Sequence, residues 1–334
     1  MRVAINGFGR IGKLAFRAFL ERKIKNVNFV AINELGSLDS SVHLLKYDST
    51  HGYLNKRINQ SKNGIKYDGG EIKFFSEKDP KNLPWKKLKI DVVLECSGAF
   101  TSKEKANEHI KSGAKKVIIS APGKNADATI VYGVNNNILT KKDKIISNGS
   151  CTTNCLAPIA MVLDNFLGIE SGFMTTIHSF TGDQKTLDSS HSDLRRARTA
   201  SSSIIPTSTG AAKAIGLVLP NLKGKLDGTA IRVPTTNVSL IDFKFISKQN
   251  TRVEEINKII LKSSKSKSLK NILTINELPL VSVDFIHNAS SSIFDITQTQ
   301  VVNKNFCRVL SWYDNEWGFS NRMIDTLIEI KKIL

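Results

Sequence analysis

Of the four cysteines in the chain, Cys151 has the setting that chemistry needs. The run Ser147-Asn148-Gly149-Ser150-Cys151-Thr152-Thr153-Asn154-Cys155 passes from a strand-like stretch through small polar residues into a helical one. That places Cys151 at a helix N-terminus, where the dipole and free N–H groups favour a thiolate over a thiol. Such a thiolate is a nucleophile for an electron-poor carbon. Cys155, one turn later, reads as a small buried side chain. His178 ends the strand-like run Phe173–Ile177. It is expected at the sheet's edge beside the cysteine helix, either as the base that pairs with Cys151 or as a satisfied structural histidine. His43, His51, His109, His191 and His287 lie in polar or helical settings and are assigned ordinary surface roles.

Thr181, Arg196, Thr209-Gly210 and Arg232 all follow the cysteine in loops or at strand ends. Hydroxyls, guanidinium groups and a glycine backbone together suit phosphate capture, so a phosphorylated substrate is plausible. At the start of the chain a strand enters Asn6-Gly7-Phe8-Gly9-Arg10-Ile11-Gly12. In this GxGxxG, Gly7 permits the tight turn, Gly9 the approach of a pyrophosphate and Gly12 close helix packing. Glu34 arrives 22 residues after Gly12, where an acid takes the adenosine ribose hydroxyls and repels a 2′-phosphate; NAD is therefore expected over NADP. Arg10 reads either as a guanidinium for the pyrophosphate or as an exposed first-turn cation.

These residues need a frame. Short β-branched runs at Val3–Ile5, Val27–Ile32, Val92–Glu95, Lys116–Ile119, Thr129–Tyr132 and Ile145–Ser147 alternate with helical stretches. This predicts an α/β fold with a Rossmann-type, doubly wound parallel sheet over residues 1–150. Longer strand candidates follow at Gly172–His178, Thr229–Val233, Val238–Phe245, Val281–Phe285, Ser292–Ile296 and Phe306–Tyr313. They predict an α+β catalytic domain over residues 151–317 with a large, mostly antiparallel sheet. A helix over Asn321–Ile333 has one apolar face, and the segment 318–334 is expected to pack back on the first domain.

Composition narrows the classes. At 334 residues, with 40% hydrophobic and 23% charged, the chain is a globular protein too large for one core. No apolar run reaches membrane-spanning length and no signal peptide is visible, so the cytoplasm is the expected location. Four cysteines without a CxxC pair argue against a disulfide framework and against zinc, and no metal is expected. The net charge of +18 admits nucleic acid, an anionic substrate or a lysine-rich composition; its lysines are scattered, so no dedicated nucleic-acid partner is assigned.

The motifs INGFGRIG (5–12), HLLKYDSTHG (43–52), SAPGKN (120–125), SNGSCTTNCLAP (147–158), TTIHSFTGDQ (175–184), DLRRAR (193–198), PTSTGAAKA (206–214), LKGKLDG (222–228), RVPTTNVSL (232–240) and SWYDNEWGFSNR (311–322) run essentially end to end. Together they resemble the phosphorylating glyceraldehyde-3-phosphate dehydrogenase family. The resemblance implies oxidation of glyceraldehyde 3-phosphate to 1,3-bisphosphoglycerate with NAD and inorganic phosphate, in glycolysis or gluconeogenesis. It implies Cys151 as nucleophile, passing through a thiohemiacetal and a thioester, and His178 as its base. Ser150, Thr152, Thr209 and Gly210 match the inorganic-phosphate site, with Arg196 nearby, and Thr181 and Arg232 match the C3-phosphate site. Arg10, Ile11, Glu34, Lys78, Ser120 and Asn315 fall at cofactor contacts. The loop from residue 179 to about 201 implies a homotetramer. Glu34 stands where the family usually has Asp, as in the related erythrose-4-phosphate dehydrogenases, which remain the alternative reading. Asp188-Ser189-Ser190 lacks a Leu-Pro pair typical of strictly NAD-dependent members, so NADP use is left open.

Overall fold

The computed structural model describes all 334 residues, which divide into two compact units. One comprises Met1–Ile130, Asn136–Gly149 and Ser320–Leu334; the other comprises Val131–Asn135 and Ser150–Phe319. The segment 131–135, placed by sequence with the first domain, belongs to the second, where Val131 enters the core.

The first unit is built on a nine-stranded sheet. Its order is Ala128–Thr129, Ile145–Ser147, Lys116–Ile119, Val92–Glu95, Arg2–Asn6, Asn28–Asn33, Gly70–Phe75, Gly64–Tyr67, Ile58–Ser61. The first seven strands are parallel and the last two close an antiparallel edge. From Arg2–Asn6 the chain winds first to one side and later to the other, so the crevice of a doubly wound sheet opens at the end of that strand. Gly7 adopts φ +87°, and a Cβ on Gly12 would lie 2.2 Å from the Gly7 carbonyl oxygen. Only glycine permits this turn from strand into the helix Arg10–Glu21. The meander over residues 58–75 is absent from the sequence reading, because its strands are short, lysine-rich and half exposed. Of the expected strand Thr129–Tyr132 only Ala128–Thr129 forms. The Val131 N–H is instead accepted by the Asn135 side chain, which closes a turn.

Beneath the glycine loop lies a buried polar network that the sequence reading missed. His109, expected at the surface, is wholly buried. Its Nδ1 accepts the Trp85 indole N–H at 3.0 Å, which leaves Nε2–H to donate to Glu95 Oε2 at 2.9 Å. The same carboxylate accepts the Asn6 amide at 2.6 Å and the Ser97 N–H at 2.8 Å. Buried polar atoms need such partners, and these tie the glycine-loop strand to the loop after Val92–Glu95.

In the second unit the sheet order is Ile205–Ser208, Leu226–Val233, Ile169–Ser179, Ser239–Ser247, Phe306–Tyr313, Ser292–Asp295, Leu273–Asn276, with Gln300–Val302 also paired to Phe306–Tyr313. Two pairings are parallel, Ile169–Ser179 with Leu226–Val233 and Leu273–Asn276 with Ser292–Asp295; the others are antiparallel. The helix Cys151–Leu167 buries Leu156, Ile159, Ala160 and Leu163 in one core with Met174, Phe243 and Val309 of the sheet. The expected strand Val281–Phe285 is a 3-10 helix at Ser282–Phe285. Asp284 accepts the Val281 N–H there, while Val281 and Val283 stay exposed; the alternating valines mark no buried face.

The Glu95 carboxylate accepts from Asn6, from His109 and from both the N–H and the hydroxyl of Ser97, so Glu95→Ala strands several buried groups at once. The expected loss is about 3 kcal/mol or more of unfolding free energy, read by urea denaturation; a loss within 0.5 kcal/mol, roughly the level of a neutral surface change, contradicts the anchoring role.

Candidate active site

Cys151 is the first residue of its helix, and Ser150 caps it: the Ser150 hydroxyl accepts the Thr153 N–H at 3.0 Å. The thiol therefore sits where the free N–H groups converge. His178 lies near the end of Ile169–Ser179, an interior strand of the sheet rather than an edge one, and its Nε2 is 3.5 Å from Cys151 Sγ. Arg232 is in register with His178 on the neighbouring parallel strand. Its Nη1 donates to the Ser179 carbonyl at 3.0 Å and lies 2.6 Å from His178 Nδ1, which is itself 2.7 Å from that carbonyl. The Arg232 Nε is buried without a protein partner, a spare donor facing the requirements of an anion.

Tyr313 completes the centre. Its hydroxyl joins the Thr152 and Thr176 hydroxyls at 2.9 and 2.8 Å, and its ring stands edge-on to the His178 ring at 5.9 Å. Sequence reasoning did not single it out; its only signal is the SWYDNEWGFSNR segment.

Burial acts on this thiol together with the helix N-terminus that the sequence shows. Burial pushes the Cys151 thiol up, while Arg232 and the Thr152 and Cys151 N–H groups pull it back. Burial, then Arg232, push His178 down to about 3, so the unliganded imidazole is neutral and able to take a proton. Cys155 is buried against Ser292, its thiol pushed up to about 12 chiefly by desolvation, in keeping with a packing role.

Other expected anion ligands are already engaged. The Thr152 hydroxyl is turned to Tyr313, and Thr209 Oγ1 accepts the Ala211 N–H at 3.2 Å, leaving Gly210 open at the start of the helix Ala211–Val218. Arg196 donates to Asp183 and to Thr207 at 3.0 Å each. Thr181 lies just beyond the histidine strand, its carbonyl accepting the Gln184 N–H. Asn315 is buried, with its side-chain oxygen held by Ser179 and Ser239.

In the other unit a pocket of about 400 Å³ opens at the glycine loop, lined by Asn6, Gly7, Gly9, Glu34 and Lys78 among others. Glu34 accepts the Phe8 N–H at 2.6 Å and the Gly36 N–H at 3.1 Å, which fixes the carboxylate at the pocket wall. A glycine turn, a helix N-terminus and an acid so placed fit a dinucleotide. Ile11 and Gly12 lie in the first turn of the following helix, and Ser120 follows the strand Lys116–Ile119, its N–H donating to the Glu95 carbonyl at 3.0 Å. Arg10 is the first residue of its helix and half exposed, the first-turn cation that was one of its two expected readings, and its guanidinium pairs bidentately with Asp48 at 2.5 and 3.2 Å.

Residues 1–103 match the NAD binding domain of glyceraldehyde 3-phosphate dehydrogenase, and residues 150–315 match its C-terminal domain. Over 333 residues the chain is 54% identical to the glyceraldehyde-3-phosphate dehydrogenase of Xanthobacter flavus, covering 100% of this chain and 99% of that one. The chain belongs to the glyceraldehyde-3-phosphate dehydrogenase family. The same enzyme of Zymomonas mobilis is 53% identical, covering 100% of this chain and 99% of its own. That of Pseudomonas aeruginosa is 49% identical, with 99% and 98% covered. Family membership makes the chain an NAD-dependent oxidoreductase, and the pocket beside Glu34 suits that cofactor.

Membership also gives the Arg10–Asp48 pair a context, since it braces the first turn of the glycine-loop helix. Arg10 and the Thr50 and His51 N–H groups hold the Asp48 carboxyl down at about 2 against its burial. A depressed carboxylate adds stability that is complete above its unfolded value of about 3.9 and is lost as pH falls toward 2. Because Arg10 is half exposed, the increment is modest. The stability gap between wild type and Asp48→Asn should be constant near neutrality and narrow below about pH 4; thermal midpoints followed down to the acid limit of folding check this, and a gap that widens there refutes the pairing.

Proposed function

We propose that this chain catalyses the reversible phosphorylating oxidation of glyceraldehyde 3-phosphate to 1,3-bisphosphoglycerate, with NAD⁺ and inorganic phosphate, in glycolysis or gluconeogenesis. The observation that carries the reading is the Cys151 thiol 3.5 Å from His178 Nε2, with Arg232 in register beside the imidazole.

Cys151 is the nucleophile and His178 its base. As the thiol proton passes to Nε2, Sγ attacks the aldehyde carbon, and the resulting oxyanion is received by the Cys151 N–H and the imidazolium. The imidazolium returns its proton to that oxyanion, giving the thiohemiacetal hydroxyl, and His178, neutral again, takes this hydroxyl proton as the carbon is oxidised. Bound NAD⁺ supplies a hydride acceptor. The acyl group remains on Cys151 as a thioester until phosphate attacks it, and the thiolate leaves. Arg232, with its unpartnered Nε, and Thr181 hold the C3 phosphate. As that phosphate engages the guanidinium, Nδ1–H is left to the Ser179 carbonyl and Nε2 is kept as the basic nitrogen. Ser150, Thr152, Thr209, Gly210 and Arg196 serve the attacking phosphate. Arg10, Ile11, Glu34, Lys78, Ser120 and Asn315, with Gly7, Gly9 and Gly12, serve the cofactor, and the carboxylate of Glu34 supports NAD over NADP.

A homotetramer is the assembly proposed. Leu187, Leu194 and Ile204, in and just after the long loop following the histidine strand, are all more than 70% exposed, which suits a surface covered by another subunit. The cytoplasm is the proposed location, in keeping with four unpaired thiols. The relatives named above carry the glyceraldehyde name, and the erythrose-4-phosphate alternative is not favoured; it predicts NADH formation that needs no phosphate.

The decisive measurement is NADH formation from glyceraldehyde 3-phosphate with phosphate varied and both nicotinamide cofactors compared. Rates that rise saturably with phosphate are expected, and phosphate-independent rates overturn the assignment. Cys151→Ser should abolish turnover while NAD⁺ binding persists. His178→Asn should leave a turnover lower by roughly 10²–10⁴-fold, with slower iodoacetamide alkylation of Cys151 at neutral pH; an unchanged alkylation rate removes His178 as the activator.

A further inference from the structure

Asn315 sits in the loop after Phe306–Tyr313, and its backbone is fixed from both sides. The carboxylate of Asp314 accepts the His287 N–H at 2.8 Å, the Glu316 N–H at 2.9 Å and the Trp317 N–H at 2.7 Å. Trp317 in turn stacks on the His287 ring at 3.8 Å. The loop is therefore rigid, and what is left to decide is which way round the Asn315 amide points. An amide rotated by half a turn swaps a donor for an acceptor.

Two hydroxyls settle it. Ser179 Oγ and Ser239 Oγ lie 2.8 and 2.9 Å from Asn315 Oδ1, and all three residues are buried. Ser239 Oγ already accepts an obligate donor, the Ser179 backbone N–H, at 3.1 Å. Its own O–H has no acceptor other than Asn315 and the neighbouring Ser179 hydroxyl at 3.4 Å. Both serine protons thus converge on one oxygen; with the amide rotated the hydroxyls would have to accept from its NH₂ group, and at least one serine proton would be left without an acceptor. The Asn315 nitrogen, by contrast, has no partner within the protein. Ser179 also lends its carbonyl to His178 Nδ1 at 2.7 Å, so one residue steadies both the base and the amide.

We propose that Ser179 and Ser239 are positioning residues that hold the Asn315 amide with its NH₂ outward, as a donor for the carboxamide oxygen of bound nicotinamide. This rests on the reading of Asn315 as a cofactor contact. The amide is an acceptor-seeking group that the fold itself leaves unsatisfied, and a carboxamide oxygen is the complementary acceptor. Loss of either hydroxyl lets the amide rotate, which weakens the hold on the nicotinamide half of the cofactor and leaves the adenosine and pyrophosphate half untouched.

The test compares NAD⁺ with ADP-ribose, which lacks the nicotinamide, by isothermal titration of the full-length protein. In Ser179→Ala and Ser239→Ala the Kd for NAD⁺ should rise about 5- to 10-fold, the range expected for one hydrogen bond, while the Kd for ADP-ribose stays within about twofold. In an Asn315→Ala background the serine changes should add nothing, since the group they orient is gone. Equal weakening of both ligands, or no weakening of either, overturns the proposal, as does a full serine effect without Asn315. Retained ADP-ribose binding certifies the fold; if one serine variant does not fold, the other carries the comparison. The outcome separates from the functional proposal: a protein without phosphate-dependent NADH formation sinks that reading, and the ligand comparison still stands or falls by itself.

Discussion

The catalytic centre depends on the parallel register of Ile169–Ser179 with Leu226–Val233. Because side chains alternate faces along a strand, a slip of one residue turns every side chain to the opposite face. With His178 opposite Arg232, a guanidinium lies against the imidazole and both stand beside the first turn of the cysteine helix. One residue out of step, and His178 would stand opposite Ile231 or Val233 in place of the guanidinium.

That register is costly to maintain, because it brings a cation next to a neutral imidazole in a buried setting. Two features offset the cost. The Ser179 carbonyl accepts from Arg232 and lies within hydrogen-bond reach of Nδ1, and Tyr313, tied to Thr152 and Thr176, fills the space behind the ring with a satisfied hydroxyl. The result is an unliganded centre whose thiol is raised and whose histidine is depressed by the same burial. Burial that disfavours charge in the empty site also strengthens each interaction made once an anionic substrate arrives.

The dinucleotide-binding unit solves a different problem with similar means. A tight glycine turn brings backbone N–H groups to a pocket, and the groups underneath must not compete for the ligand. Glu95 absorbs the donors of Asn6, Ser97 and His109 below the loop, Asp48 takes the Arg10 side chain, and Glu34 is braced by the Phe8 and Gly36 N–H groups. In each case a carboxylate is satisfied locally, so the helix N-terminus faces the ligand with its own dipole.

By itself the sequence determined what is local or periodic. The β-branched runs alternating with helices, the glycine turn, the polar lead into Cys151 and the motifs shared with the family are legible in short windows, because strand period, turn sterics and helix capping are short-range constraints. Tertiary structure alone decided the rest. His109 reads as a surface residue because nothing nearby in sequence tells of Trp85 or Glu95, and the ion pair of Arg10 goes unread because Asp48 is 38 residues away. Val281 and Val283 alternate like a strand, yet Asp284 curls them into a turn. Tyr313 and the serine pair around Asn315 were likewise invisible, since the distances that give them roles span 136 residues or more for Thr152, Thr176 and Ser179. Partner identity, burial and the resulting shifts in charge state are properties of packing between distant segments, and no local pattern encodes them.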